Sequence, residues 1–267
     1  RALAADAHAA AGALGAAPYP RGSTRAPVEG WDIAQKNDMP GVAAANATML
    51  DDLTGGASGL VIDVAAIGAD IPDLPALFDG VHVDLVPITF DTGADRAVAL
   101  ANAFLDHART RRIDADALRF CPGFDPHTAL AGSGRLGHVA AVPAEVVAAT
   151  NALAARGLRG PTLLVDGRPW HEAGATEAVE LGIAIANAVS YLRMLVAAGV
   201  AGDTAADRIA FKLVVDADQF RSIAKLRAGR LLWSMVLEAS GLAPRAADIR
   251  VELGRRGLTR RDPWVNI

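Results

Sequence analysis

Residues 220–233 have the sequence FRSIAKLRAGRLLW, and the interpretation of the chain starts from this stretch. It is rich in Ala and Leu, contains no proline and follows a short apolar run, so it is predicted to form a helix. By itself, the stretch is typical of an amphipathic helix on the outside of an α/β protein, with its basic residues in solvent. The segments on either side of it show whether it is something more specific.

Two pairs of basic residues lie on this predicted helix. Arg221 and Lys225 are spaced i, i+4, and Arg227 and Arg230 are spaced i, i+3. The helical period of 3.6 residues puts the two pairs on roughly opposite sides. Because a solvated helix needs only one polar stripe, the second pair is predicted to meet carboxylates on a neighbouring helix or on a partner subunit.

The composition is that of a globular protein with a sizeable core. The chain has 267 residues, of which 52% are hydrophobic and 21% charged, and this suits one large domain or two small ones. The net charge of −4 and the 5% aromatic content argue against binding to nucleic acid or to an anionic membrane. No run is interpreted as a transmembrane helix and no signal peptide is recognised, so a cytoplasmic protein is expected.

Cysteine and histidine usage gives no indication of a metal site. The single cysteine, Cys121, cannot form an internal disulfide and is interpreted as a small buried hydrophobe. The six histidines lack the spacing of metal ligands, so all of them are expected to be structural or exposed. No glycine-rich phosphate-binding loop follows a predicted strand.

Short apolar strands alternate with Ala-rich helices along the chain after residue 40. Besides the helix at 220–233, strands are predicted at 59–63, 82–90, 118–122, 161–166, 209–215 and 249–253, and helices at 40–53, 94–111, 139–156 and 172–198. Such apolar strands separated by helices indicate a parallel sheet covered on both faces. An open doubly wound sheet and a (β/α)8 TIM-type barrel both fit this order.

The count of six predicted strands is two short of a closed barrel. Either two strand-helix units are missing, or the N-terminal region supplies strands that the pattern does not reveal; the first explanation is preferred. Residues 1–30 contain several prolines and are predicted to form an extended arm, with the barrel domain at 31–267.

Aspartates follow four of the predicted strands, namely Asp63, Asp91, Asp166 and Asp216. The carboxyl edge of a parallel sheet is where a functional site would lie. The favoured interpretation of these residues is turn and N-cap chemistry. A metal-dependent site formed by Asp63, Asp166, Glu172 and Asp216 is the weaker alternative.

Four stretches resemble segments of the methylmalonyl-CoA mutase family, and they occur in the same order. The stretches at 31–35 (WDIAQ), 171–176 (HEAGAT), 220–233 and 262–266 (DPWVN) are similar to W-x-I-x-Q, E-A-G-A-T, A-K-x-R-A-x-R-x-x-W and D-P-aromatic-x-N in that family. The resemblance extends over about residues 18–267. It implies a (β/α)8 barrel, apparently incomplete here, with about six strand-helix units.

The resemblance also shows where this chain departs from active members. The position of a tyrosine over the radical centre is Lys36, and the Gly-Tyr-His tripeptide after the fourth predicted strand is Gly167-Arg168-Pro169. The histidine of that tripeptide donates a hydrogen bond to the substrate thioester in active members. Proline has no side-chain donor and no N–H, so Pro169 cannot replace it, and His171 is expected to point elsewhere.

Other elements that active members use are changed as well. Residues 118–122 lack the Thr and Gln that face the substrate, and Arg208 keeps the arginine of an Arg-x-Ser coenzyme A element without the serine. The cobalamin-binding Asp-x-His-x-x-Gly is not present, because the triplets at 6–8 and 125–127 lack the following glycine. The C-terminal cobalamin-binding domain is therefore expected to be absent from this chain.

These departures imply a small subunit of a heterodimeric, adenosylcobalamin-dependent mutase. The complex would interconvert methylmalonyl-CoA and succinyl-CoA in propionate metabolism, with the cofactor and the chemistry on the large subunit. This chain would then contribute no catalytic, cofactor-binding or metal-binding residue. The alternative is an active acyl-CoA mutase of altered specificity, in which Lys36, Arg168 and Arg208 bind an acidic substrate or phosphates.

Overall fold

The structure is a computed structural model that describes residues 13, 15–20, 22, 31–134 and 136–266, without the side chains of residues 136–138 and 263. The described chain forms two units. One comprises residues 31–164, and the other comprises residues 165–266 with the described residues before position 28. Most of the predicted arm at 1–30 lies outside the described residues, so the proposed division at residue 30 stays a prediction.

The first unit contains a four-stranded parallel sheet in the order β1-β2-β3-β4. Its ladder places the strand ends Asn37, Ile62 and Phe90 side by side. In chain order its elements are β1 (Ala34–Asn37), α1 (Val42–Thr54), β2 (Gly59–Ile62), α2 (Val64–Ile67), α3 (Leu74–Leu77), β3 (Ile88–Phe90), α4 (Ala94–Thr110), β4 (Phe120–Cys121), α5 (Pro126–Ser133) and α6 (Val142–Ala155).

Four phenylalanines form the centre of the first unit's core. Phe104 on α4 lies 5.1 Å from Phe78, 5.5 Å from Phe90 and 4.6 Å from Phe120, measured between ring centroids. All four side chains are buried. Edge-on and tilted contacts of this kind add to the hydrophobic gain, so the cluster fixes α4 on β3 and β4.

The second unit contains a three-stranded sheet in the order β5-β6-β7, in which β6 and β7 pair in parallel. Its elements are β5 (Leu163–Asp166), which begins at the end of the first unit, α7 (Arg168–Glu172), α8 (Glu177–Ala197), α9 (Gly202–Asp207), β6 (Ile209–Val215), α10 (Gln219–Ala239) and β7 (Ile249–Leu253). Six of the seven β6 residues are buried. Trp233 of α10 packs edge-on against Phe211 of β6, with ring centroids 5.2 Å apart.

The α/β class and the parallel strands are confirmed, but neither sheet is closed into a barrel. The described residues contain seven strands, so the count of six was wrong. The additional strand is β1, with the sequence AQKN. It was missed because three of its four residues are polar and two are exposed, which gives no apolar run. The N-terminal region therefore does supply one strand, as the alternative explanation predicted, and the preferred explanation of missing units stays a prediction.

Two other predicted elements differ from the structure. The helix expected at 172–198 is divided, because Gly174 has a positive φ of 100° and Thr176 caps a new helix that starts at Glu177. The strand expected at 82–90 is reduced to β3, since residues 82–85 form a turn and Pro87 has no N–H for the ladder. The helices at 42–54 and 94–110 agree closely with prediction, and the helix predicted at 220–233 continues to residue 239.

Helix α8 is long and apolar enough to cross a membrane by length and composition alone, which the sequence interpretation overlooked. In the structure it packs against β6 and α10. It also carries Glu180, which is fully buried and paired with Lys225. These contacts are those of a core helix of an α/β unit.

Candidate functional site

A lysine and two aspartates meet at the carboxyl ends of the first three strands. Lys36 Nζ lies 3.0 Å from Asp91 Oδ2 and 3.4 Å from Asp63 Oδ2. The parallel register brings these residues together, because Lys36 is near the end of β1 and the aspartates directly follow β2 and β3. Asp63 also accepts the N–H of Ala66 at 3.0 Å and caps α2. The amine of Lys36 is thus held by two carboxylates that follow strands of its own sheet.

A second cluster of charges lies at the carboxyl ends of the strands of the second unit. Arg168 Nη2 is 2.9 Å from Asp166 Oδ2, and Arg168 Nη1 is 3.4 Å from Glu252 Oε2 on β7. Lys212 of β6 reaches the same two carboxylates at 3.6 and 3.8 Å. Two cations and two anions therefore balance one another, and Lys212 is nearly buried, with 6% of its side chain exposed.

A third cluster is fully buried between α7, α8 and α10. Glu180 Oε2 is 2.7 Å from Lys225 Nζ and 3.2 Å from His171 Nδ1, and Glu180 Oε1 accepts the N–H of Val214 at 2.9 Å. The three charged or polar side chains are each at most 2% exposed. Burying an ion pair is tolerated only when its remaining hydrogen-bonding capacity is satisfied, and the Val214 amide contributes to that.

The structure revises the prediction for the basic residues of α10. The buried carboxylate is met by Lys225 of the first pair, whereas Arg227 of the second pair is exposed. Arg230 donates from Nε to the carbonyl of Tyr19 at 3.0 Å, and burial lowers the pKa of its guanidinium, with Arg227 adding to the effect. Arg221 makes an exposed ion pair with Asp218 on its own helix.

The carboxylates of the alternative metal site have other partners. The partners of Asp63 and Asp166 are given above. Glu172 accepts the N–H of Arg255 at 2.9 Å, and Asp216 accepts the N–H of Asp218 at 2.9 Å. Within residues 31–134 and 136–266, no group of three or more His, Cys, Asp or Glu side chains is placed to hold a metal ion. The turn and N-cap interpretation is confirmed for Asp63, Asp216 and Asp166, since Asp166 Oδ1 accepts the N–H of Arg168 at 2.9 Å. Asp63, Asp91 and Asp166 also bind cations.

The remaining predicted positions have structural surroundings. Cys121 is buried in β4, as expected. Asp125 caps α5 by accepting the N–H of Thr128 at 3.2 Å, which accounts for the Asp-x-His triplet that contains His127. Burial lowers the pKa of His127, and the nearby Asp125, which acts to raise this pKa, has the smaller effect. Arg208 is half-buried just before β6, and burial lowers the pKa of its guanidinium although Asp207 opposes this.

Sequence reasoning missed Glu180, Lys212 and Glu252. One signal was available, since Lys212 interrupts the apolar strand IAFKLVV and a lysine in a buried strand requires an anionic partner. The partner could not be identified, because Glu252 lies 40 residues further along the chain. Glu180 looked like an ordinary residue in the first turn of a helix.

Comparison with known proteins agrees with these observations. The family model described as methylmalonyl-CoA mutase matches residues 63–267. The chain is 37% identical to the methylmalonyl-CoA mutase small subunit of Streptomyces virginiae over 98% of this chain and 42% of that protein. It is 27% identical to the small subunit of Propionibacterium freudenreichii subsp. shermanii, over 98% and 41% respectively.

Similarity to a large subunit is more limited. The methylmalonyl-CoA mutase large subunit of Porphyromonas gingivalis is 32% identical over 40% of this chain and 15% of its own length. This chain belongs to the methylmalonyl-CoA mutase family, and the relatives that it matches over nearly its whole length are small subunits. It spans about two fifths of the length of those curated relatives.

Proposed function

We propose that this chain is part of a small, catalytically degenerate subunit of a heterodimeric methylmalonyl-CoA mutase. The complex interconverts methylmalonyl-CoA and succinyl-CoA in propionate metabolism, in the cytoplasm, and this subunit supports the catalytic large subunit structurally. Residues 31–267 would belong to a (β/α)8 barrel domain. In support, the four strands of one sheet and the three strands of the other lie side by side in the order in which they occur in the sequence.

The observation that carries the proposal is the pairing of charges where active members hold reactive groups. Lys36 is held by Asp63 and Asp91, and Arg168 by Asp166 and Glu252. A cation that is neutralised by carboxylates of its own sheet is a poor receptor for a thioester or a phosphate, because binding would have to break those pairs. The proline at 169 adds no donor.

Neither His171 nor His127 fits the cobalt ligand that the family implies. A ligand to cobalt needs an accessible imidazole, and His171 is buried against Glu180. His127 lies in the first turn of α5 with Leu130 where the family's motif has glycine. Adenosylcobalamin is therefore assigned to the large subunit, and no step of the reaction is assigned to this chain.

The test compares the isolated protein with the reconstituted complex. With adenosylcobalamin and methylmalonyl-CoA, the protein alone is expected to produce no succinyl-CoA, whereas addition of the large subunit restores turnover. Replacing Lys36→Met and Arg168→Met in the complex should change kcat and KM by less than about twofold, because neither side chain touches the substrate. Turnover by the protein alone, abolished by these two substitutions, would overturn the proposal.

A further inference from the structure

Helix α7 (Arg168–Glu172) lies across the carboxyl end of β6, although it has only five residues. The N–H of Gly167, directly before the helix, donates to the carbonyl of Lys212 on β6 at 2.8 Å. At the start of the helix, the side chain of Arg168 reaches Glu252 on β7. A helix this short is not stable by itself, because its nucleation costs more than one turn of hydrogen bonds returns. The position of α7 is therefore set by its tertiary contacts.

The outer side of α7 covers the amine of Lys212. Arg168 holds Asp166 and Glu252 at 2.9 and 3.4 Å, and Lys212 Nζ lies 3.6 and 3.8 Å from the same two carboxylates. The side chain of Arg168 is 24% exposed, whereas that of Lys212 is 6% exposed. Arg168 is thus the outer of the two cations, and Lys212 is the covered one.

The inner side of α7 rests on Glu180, which is fully buried in α8. His171 Nδ1 lies 3.2 Å from Glu180 Oε2, and a Cβ on Gly167 would lie 2.8 Å from Glu180 Oε1. Glu180 is itself fixed by Lys225 Nζ at 2.7 Å and by the N–H of Val214 at 2.9 Å. Because a carboxylate paired with an ammonium group only accepts hydrogen bonds, His171 donates from Nδ1. Both ends of α7 therefore lie against one fixed carboxylate, and His171 supplies the hydrogen bond.

The other ring nitrogen of His171 is enclosed by the loop after β7. Nε2 is buried without a hydrogen-bond partner among the described residues. It faces Gly254, where a Cβ would come within 2.8 Å of it, so the loop approaches the imidazole closely because residue 254 has no side chain. Arg256 of this loop donates to the carbonyls of His171 and Ala175. The loop after β7 thus holds α7 from a third side.

We propose that α7 is a closed lid over Lys212 and that His171 keeps it closed. The hydrogen bond from His171 to Glu180 on the inner side holds the ion pairs of Arg168 in place on the outer side, and this keeps the amine of Lys212 from contact with solutes. His171 is then a positioning residue that acts through Arg168. The inference concerns one element of the second unit, goes beyond the proposed function and does not depend on it.

Acetylation of the full chain with acetic anhydride tests the lid, because the chain contains only three lysines. Lys36 and Lys225 belong to the other two charge clusters and serve as internal references. Mass spectrometry should show slower acetylation of Lys212 than of Lys36, whose side chain is 22% exposed. His171→Leu fills the space but removes the donor, so it should accelerate acetylation of Lys212 about tenfold. It should leave Lys36 and Lys225 within about twofold of the parent.

A conservative variant and a control accompany this substitution. His171→Asn keeps a donor close to the position of Nδ1 and should return acetylation of Lys212 to within about threefold of the parent. His127→Leu is the matched control, because His127 is a histidine of the short helix α5 in the first unit. It should leave the acetylation of Lys212 unchanged.

Hydrogen exchange of the Gly167 and His171 amides tests the outer contacts separately. Arg168→Met removes the ion pairs of a partly exposed side chain, so it should accelerate this exchange at least about threefold and leave the amides inside β6 unchanged. Unchanged exchange in Arg168→Met would overturn the proposal, and this measurement decides even if His171→Leu does not fold.

The acetylation rates can contradict the lid in three ways. Lys212 that reacts as fast as Lys36 in the parent would show that nothing covers it. Equal acetylation of Lys212 in the parent and in His171→Leu would show that His171 does not hold the lid. A rise of Lys225 together with Lys212 in His171→Leu would show that His171 stabilises the whole unit instead. Each of these results would overturn the proposal.

Discussion

At the scale of single residues, substitution of the buried Glu180–Lys225 pair tests the structure most strongly. Replacing Glu180→Gln leaves the ammonium of Lys225 buried without a counter-charge, so the free energy of unfolding should fall by about 3–5 kcal/mol. Chemical denaturation followed by circular dichroism measures this change. The double variant Glu180→Leu/Lys225→Met removes both charges and should lose less than the sum of the single losses.

Glu177→Gln is the control for that prediction. Glu177 is on the same first turn of α8 but is partly exposed, so its loss removes only a helix-dipole interaction worth less than about 1 kcal/mol. Equal destabilisation by Glu180→Gln and Glu177→Gln would contradict the prediction that Glu180 stabilises the protein as the buried counter-charge of Lys225.

The protonation of His107 should make the stability depend on pH. Burial, and to a smaller extent Arg111, lowers the pKa of His107, whose Nε2 is buried without a hydrogen-bond partner among the described residues. Between the lowered pKa and the ordinary value of about 6.5, the unfolded chain binds a proton that the folded chain does not. The contribution of His107 is therefore fully present above about pH 6.5 and is lost as the pH falls below it.

Urea denaturation at pH 7.5 and pH 5.5 measures this effect. The His107→Leu variant should lose less stability over that interval than the parent, and the exposed His82→Leu variant should behave like the parent. His127, whose pKa burial also lowers, would account for part of the loss that remains. An unchanged pH dependence in His107→Leu would exclude His107 as its source.

Single residues were the hardest part of the site to predict. The resemblance implied that Lys36 and Arg168 stand where active mutases hold reactive groups, and this stays a prediction. Asp166 lies only two residues from Arg168, but the other partners, Asp63, Asp91 and Glu252, lie 27 to 84 residues away and depend on strand register, which local patterns do not contain. The basic residues of α10 show the same limit, because the 3.6-residue period did not reveal that Lys225 is buried while Arg221 and Arg227 are exposed.

At the scale of elements, the start of α10 depends on Asp218. Its Oδ1 accepts the N–H of Arg221 at 3.1 Å, and its Oδ2 lies 3.0 Å from Arg221 Nε. Asp218→Ala removes the cap and should lower the unfolding free energy by about 1 kcal/mol. Asp218→Asn keeps a capping oxygen and loses only an exposed ion pair, so it should cost no more than a few tenths of a kcal/mol.

Thermal unfolding of the two Asp218 variants distinguishes the cap from the ion pair. If Asn is as destabilising as Ala, the charge rather than the cap stabilises the helix start.

Elements with strong periodicity or apolar runs were predicted well, and those without were not. The strands at 209–215 and 249–253 and the helices α1, α4 and α10 agree with their sequence patterns. Strand β1 has a polar sequence and forms only because β2 supplies a parallel ladder for it. The division before α8 depends on Gly174 and on the Thr176 cap, a local signal that the surrounding Ala-rich sequence obscured.

At the scale of the whole molecule, the family membership and the paired charges support one account. Lys36 and Arg168, which the resemblance places where active members hold reactive groups, are bound by carboxylates. Under the proposed function, the subunit contributes surface rather than chemistry. Its role should therefore be visible in what it assembles with.

The most direct measurement is the mass and composition of the complex that the affinity-tagged protein forms in its own cells. The account predicts recovery together with a larger mutase chain in equal amounts, with cobalamin absorbance that follows the larger chain when the two are separated. Recovery without any larger mutase chain, with cobalamin bound to the tagged protein itself, would contradict the account and would return Lys36, Arg168 and Arg208 to consideration as substrate-binding residues.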